Sequence, residues 1–226
     1  MSMRDWKEAW HDPGFRVQAA ATAIALPGVL TALTGYLAVA ERRAGVVLPD
    51  PILGSIPPVD LTWLTFGAIY CGLLLGLRYL LPDPRRLLMA VQAYGVMICF
   101  RLIAMALVPF EAPAGLIPLR DPVVQFVGTG GVPTKDLFFS GHTATLFLLA
   151  LVSGTRRLRW TFLALAAIVA VAVIAQHVHY AIDVYMAPFV SYAAYRIVRW
   201  IASPRGARGG DPLPRESNDH YFRRNA

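Results

Sequence analysis

VQAAATAIALPGVLTALTGYLAVA, residues 17–40, contains no charged side chain. A helix rises about 1.5 Å per residue, so roughly 20 apolar residues cross the hydrocarbon of a bilayer. This run is long enough to do so, and it lies too deep in the chain to read as a secretory leader. Working outward, five more runs follow. Residues 61–77 carry no charge and continue past Arg78. Residues 87–110 carry only Arg101, residues 137–155 and 160–178 carry none, and residues 180–195 carry only Asp183 and run on towards Trp200. Proline-rich and glycine-rich breaks separate the runs. The fold expected is all-α: a polytopic integral membrane protein with a six-transmembrane-helix bundle over residues 17–202. A cytoplasmic N-terminal segment (1–16) precedes it, and a mobile, Arg- and Gly-rich cytoplasmic tail (203–226) follows.

Composition agrees. Of 226 residues, 56% are apolar and only 15% charged, whereas soluble domains carry about 25% charge. Mean hydropathy is +0.50. A disordered chain, a collagen-like chain and an ordinary soluble enzyme are excluded. The net charge of +7 does not point to nucleic acid, because the basic residues sit at the edges of apolar runs, where they set orientation. Arg4, Lys7, Arg16, Arg78, Arg85, Arg86, Arg156, Arg157, Arg159 and the C-terminal arginines fall on one face of a six-helix topology. Arg42, Arg43, Arg120 and Lys135 fall on the other. The positive-inside rule then places both termini in the cytoplasm and the first, third and fifth connections outside, in periplasm or lumen. Cys71 and Cys99, inside apolar runs, read as buried small hydrophobes. The connection 111–136 is the longest, and its Gly128-Thr129-Gly130-Gly131 can form an anion-binding nest or simply a flexible turn.

Ionisable groups inside a membrane are costly and tend to be functional. Here they are Arg101, His142, His177, His179 and Asp183, and the expected topology gathers all of them in the outer half. His179 and Asp183, four apart, share a face if helical. A carboxylate on one imidazole nitrogen fixes the tautomer and frees the other nitrogen as nucleophile or base. Ser140 suits a helix N-cap, Gly141 permits close approach to the backbone, and a helix N-terminus favours phosphate. Arg101 and Lys135 can add charge-assisted bonds to phosphate oxygens. Two histidines, a carboxylate and a basic cradle together point to phosphoryl transfer through a covalent histidine. Other readings stand beside this one. Arg101 can simply pair with Asp50, Asp60 or Asp183. His142, His177, His179 and Asp183 can bind a transition metal, although His-x-His rings diverge by about 200° on a continuous helix.

Asp136-Leu137-Phe138-Phe139-Ser140-Gly141-His142-Thr143 resembles the third motif of the sphingomyelin synthase family, and His177-Val178-His179-Tyr180-Ala181-Ile182-Asp183-Val184 resembles its fourth. Both are related to the type 2 phosphatidic acid phosphatase (lipid phosphatase) superfamily. Leu48-Pro49-Asp50, and Arg101 with Val108-Pro109, match the first two motifs more weakly. Thr134-Lys135 departs from the Cys-Gly of the eukaryotic synthases. The resemblance implies that His179 is the nucleophile, that Asp183 orients it, and that His142 is the general acid and base. It carries over Arg101 as a ligand of the substrate phosphate, to which the residues themselves add Lys135, Ser140 and Gly141, with Asp136, His177 and Tyr180 as further candidates for substrate contact. It implies no metal and no cofactor.

The activity expected is transfer of a phospho-head group from a phospholipid donor to a lipid-alcohol acceptor, ceramide or diacylglycerol. One alternative is hydrolysis by the same residues, as in a lipid phosphatase or a phospholipase C-like enzyme. The other is a non-catalytic lipid transporter or scaffold. Oligomeric state has no signature in the chain.

Overall fold

A computed structural model describes residues 3–121 and 133–202. The Gly128–Gly131 segment and the tail from Ser203 lie outside the described residues. Among the described residues there are seven α-helices: α1 (Met3–His11), α2 (Pro13–Arg42), α3 (Thr62–Leu80), α4 (Pro84–Leu107), α5 (Gly141–Val152), α6 (Arg156–Ala175) and α7 (Ala181–Ala202), with one 3-10 turn at Leu53–Ser55. No β-strand occurs among these residues. Four helices, α2, α3, α4 and α6, are long and apolar enough to cross a membrane.

Local sequence explains where the helices start. Asp12 accepts from the Gly14 amide at 2.9 Å with Pro13 behind it, and Asp83 accepts from the Arg86 amide at 2.9 Å with Pro84 behind it. Thr155 caps α6 through the Leu158 amide. Each such cap is worth about 1 kcal/mol, and proline at the first helical position loses no hydrogen bond.

α5 is the centre of the bundle. Its Ala144 and Leu148 join Ala93 and Met97 of α4 and Ala187 and Ala194 of α7, and its Leu146 joins Phe66 and Ile69 of α3 and Val169 and Val173 of α6. Gly72 and Gly76 form a small-xxx-small pair on α3, and Leu146 and Leu149 lie directly over them where a Cβ would sit. Small residues at such a seam let backbones approach closely. Gly76→Leu is therefore expected to lower stability by about 1–3 kcal/mol through overpacking, read as earlier thermal unfolding in detergent. By contrast, α2 is peripheral: of its residues only Phe15 is buried. It packs along α4, where Gln92 bonds Thr22 and the Tyr36 hydroxyl donates to the Met105 carbonyl.

Several expectations need correction. The fourth helix was expected over 137–155, but α5 has only 12 residues, about 18 Å, too short to span a bilayer alone. Residues 137–140 stay non-helical because their backbone is engaged elsewhere: the Phe139 carbonyl accepts from Arg101, and the Ser140 amide donates to the Asp183 carbonyl at 3.0 Å. The fifth helix ends at Ala175, not Val178, and α7 begins at Ala181, not Tyr180. Between them runs a turn in which His177 takes a positive φ of 56°. The α1 helix, inside the expected N-terminal segment, was not foreseen. It docks through Trp6, whose indole N–H donates to the Leu81 carbonyl at 2.8 Å. Cys71 is exposed on the outside of the bundle and Cys99 half-buried, so neither is the buried core residue expected.

One end of the bundle is crowded with loops. Val46, after α2, bridges to Phe110, after α4. Gly45 lies against the Phe110–Glu111 backbone with no room for a Cβ. The Val59 amide donates to the Ala175 carbonyl, and the buried Gln176 side chain holds Leu61, Thr62 and Ile117. This is the end at which α4 and α6 finish and α5 and α7 begin.

Candidate active site

His179 stands in the turn just before α7 and is buried, as is Asp183. Its Nδ1 faces the Asp183 carboxylate at 3.2 Å. The four-residue spacing therefore brings the two together, but through a turn closing onto a helix N-terminus and not along one helix face as expected. The same Asp183 oxygen accepts from the Tyr180 amide at 3.0 Å, while its other oxygen has no partner among the described residues. Among those residues no hydrogen bond occupies His179 Nε2, leaving it as the available nitrogen. Asp50 pins the turn from the first loop: it accepts from the Ala181 amide at 2.7 Å and from the Ile52 and Leu53 amides. Tyr180 completes the anchoring, donating to the Glu111 carbonyl and accepting from the Leu48 amide.

His142 sits in the first turn of α5, edge-on to the Phe66 ring with centroids 6.0 Å apart. It lines a cavity of about 170 Å³ together with Arg101, Asp136, Gly141, Phe139, Tyr94 and Leu33. His142 and His179 are within electrostatic range of each other and of the Arg101–Asp136 pair. The Ser140-to-Asp183 backbone bond ties the two motifs together.

Arg101 is buried within α4 and pairs with none of Asp50, Asp60 or Asp183. Its partner is Asp136, whose Oδ1 takes Nη2 at 2.6 Å and Nε at 3.0 Å. Nη2 also reaches the Asp136 carbonyl, and Nη1 donates to the Phe139 carbonyl. Gly141 leaves room for it, since a Cβ there would stand only 3.0 Å from Nη1 and press on the guanidinium. Burial pushes the Asp136 carboxyl up, but the Arg101 charge and its hydrogen bonds prevail and hold it below the usual carboxylate range.

The remaining candidates are placed differently. Lys135 does not line this cavity: its ammonium bonds Glu111 at 2.8 Å and the Arg43 carbonyl at 2.9 Å. That hydrogen bond from Lys135 lowers the Glu111 carboxyl from its ordinary value. Ser140 holds the N-cap position, but its hydroxyl meets Thr143 Oγ1 at 3.1 Å and caps no backbone amide. His177 points away from the site, with Nδ1 on the Ala114 carbonyl at 2.8 Å and Nε2 on the Ile56 carbonyl at 3.2 Å. His177 and His179 thus diverge, and no group of three or more His, Cys, Asp or Glu side chains is arranged to hold a metal among the described residues.

Sequence reading missed Glu41, Glu111 and Gln176, which organise the loops. Asp50 was marked through the weak Leu48-Pro49-Asp50 match and as a candidate partner of Arg101, not as the anchor of the His179 turn.

The model of the PAP2 superfamily C-terminal domain matches residues 135–201. The match contains both histidine motifs and supports the PAP2 superfamily, with its phosphatase and phosphotransferase types of lipid chemistry. Arg101 falls outside it. No curated protein matches the chain.

Proposed function

We propose that this chain is a membrane-embedded lipid phosphotransferase that works through a phosphohistidine. The observation that carries the proposal is the buried His179–Asp183 pair, with one nitrogen of His179 available, tied by the Ser140–Asp183 backbone bond to the segment whose His142, with Arg101, lines a cavity. His179 Nε2 attacks phosphorus of the donor phosphodiester. The bond from phosphorus to the diacylglycerol oxygen breaks, and His142 gives that oxygen its proton. The hydroxyl of a ceramide or diacylglycerol acceptor then loses its proton to His142 and attacks phosphorus, and the P–N bond breaks. Negative charge on the phosphoryl oxygens is balanced by the positive charge of the Arg101 guanidinium and by amides at the start of α5. Asp183 keeps the proton on His179 Nδ1 throughout.

In this reading six helices, α2 to α7, form the membrane domain over residues 17–202, and the short α5 reaches only part-way into the bilayer. Both termini are cytoplasmic, and the loop-rich end with the site faces outward. A second reading is supported by the superfamily match, since PAP2 members are generally lipid phosphatases: water takes the acceptor's place and the same residues hydrolyse the phosphohistidine.

The test is purified protein in liposomes with labelled phosphatidylcholine or phosphatidylethanolamine, EDTA, and either ceramide or diacylglycerol. A new phospholipid that depends on acceptor establishes transfer. Released soluble phosphate or phospho-head group, indifferent to acceptor, establishes hydrolysis. Binding without turnover leaves the transporter reading.

A further inference from the structure

The outermost helix of the bundle reaches the site through one carboxylate. Glu41, in the last turn of α2, accepts three hydrogen bonds from the strand of chain that leads into Asp136: Oε1 takes the Thr134 amide at 2.6 Å and the Lys135 amide at 2.7 Å, and Oε2 takes the Thr134 hydroxyl at 2.9 Å. Two residues beyond Glu41, the Arg43 carbonyl accepts from the Lys135 ammonium. Asp136 follows immediately, and it orients Arg101 through two bonds to one carboxylate oxygen. The contacts therefore run from Glu41 to residues 134–135, to Asp136, to Arg101, to the cavity shared with His142.

We infer that Glu41 is a positioning residue: it fixes the segment 134–136 so that Asp136 holds the Arg101 guanidinium in place for phosphate. The inference rests on the phosphotransfer reading above. All three donors to Glu41 are neutral, so its work is acceptance of hydrogen bonds and not charge pairing. Glutamine preserves this: its carbonyl oxygen serves both amides, and its amide N–H donates to the Thr134 hydroxyl. Alanine leaves two amides without an acceptor and frees the segment.

The test compares wild type, Glu41→Ala, Glu41→Gln and Thr134→Val in liposomes, and follows amide hydrogen exchange of peptides covering residues 133–139. Glu41→Ala is expected to lower kcat by about thirtyfold with KM changed less than about threefold, because a misplaced transition-state ligand acts on turnover. Exchange at 134–137 should quicken. Glu41→Gln should restore both, and Thr134→Val should show a smaller shift in the same direction. A merely structural role predicts instead that Glu41→Gln and Glu41→Ala track thermal stability alone. The inference is overturned if Glu41→Ala matches wild type in turnover, if exchange at 134–137 is unmoved, or if Glu41→Gln is as impaired as alanine. If Glu41→Ala does not fold, Thr134→Val and its exchange decide. If wild type itself neither transfers nor hydrolyses, the phosphotransfer reading fails, and the exchange data alone judge whether Glu41 fixes the segment.

Discussion

His179→Ala is expected to lower turnover on the order of 10⁴-fold or more, the scale seen when a covalent nucleophile is removed. The reason is specific to its setting. His179 is buried, its Nδ1 is committed to Asp183, and Asp183 is itself oriented by the Tyr180 amide. No neighbour offers a second imidazole in the same place: His177 is spent on two loop carbonyls, and His142 belongs to the start of α5. The substitution also leaves Asp183 buried with one partner fewer, so stability must be read separately. The double variant His179→Ala/Asp183→Asn removes the stranded charge. It should recover thermal stability towards wild type while turnover stays lost. Turnover that persists in either variant contradicts a nucleophilic His179.

The second large effect is expected at Arg101. Arg101→Ala removes four hydrogen bonds at once, two to the Asp136 carboxylate and two to backbone carbonyls. Breaking a buried pair by deleting one partner costs about 3–5 kcal/mol. The low end applies, because the Asp136 side chain keeps 32% of its surface accessible while that of Arg101 keeps only 6%. Turnover should fall on the order of 100-fold or more from loss of charge at the phosphoryl oxygens. Arg101→Lys keeps a charge but not the planar fork, so it should recover little of either. The pair also sets a pH dependence. Arg101 holds the Asp136 carboxyl below its ordinary value in the folded protein. The stabilisation is thus fully present above the ordinary carboxylate pKa of about 4 and is lost as pH falls through the lower folded value. Thermal unfolding between neutral and acidic pH should show this loss in wild type and a shallower one in Arg101→Ala.

Much of the site was legible because its residues are anomalies: an arginine, histidines and an aspartate inside apolar runs have few bland explanations. The pairing of His179 with Asp183 was legible from spacing, but the geometry behind it was not. The absence of charge carries the fifth run to Val178 and starts the sixth at Tyr180, whereas the helix ends at Ala175 and the chain turns at His177, where the side chains of Gln176 and His177 hold loops from elsewhere. The short α5 escaped for the same reason: Leu137 and Phe139 are as apolar as any helical residue, yet they pack into the core from an irregular segment. Partners of charged groups were the least legible. Arg101 and Asp136 are joined by three hydrogen bonds across 35 positions, and Glu41 meets Thr134 across 93. Nothing in local pattern ties an acid at the end of a peripheral helix to a loop that far along the chain.

The central claim is a covalent phospho-head group on His179. The direct measurement is rapid alkaline quenching of wild type during turnover with donor lipid and no acceptor, followed by digestion and mass spectrometry. A P–N bond survives alkali, so the account predicts the peptide containing His179 carrying the phospho-head group, absent in His179→Ala and discharged on adding acceptor. Turnover at full rate with no adduct on His179, or an adduct on another residue, contradicts it.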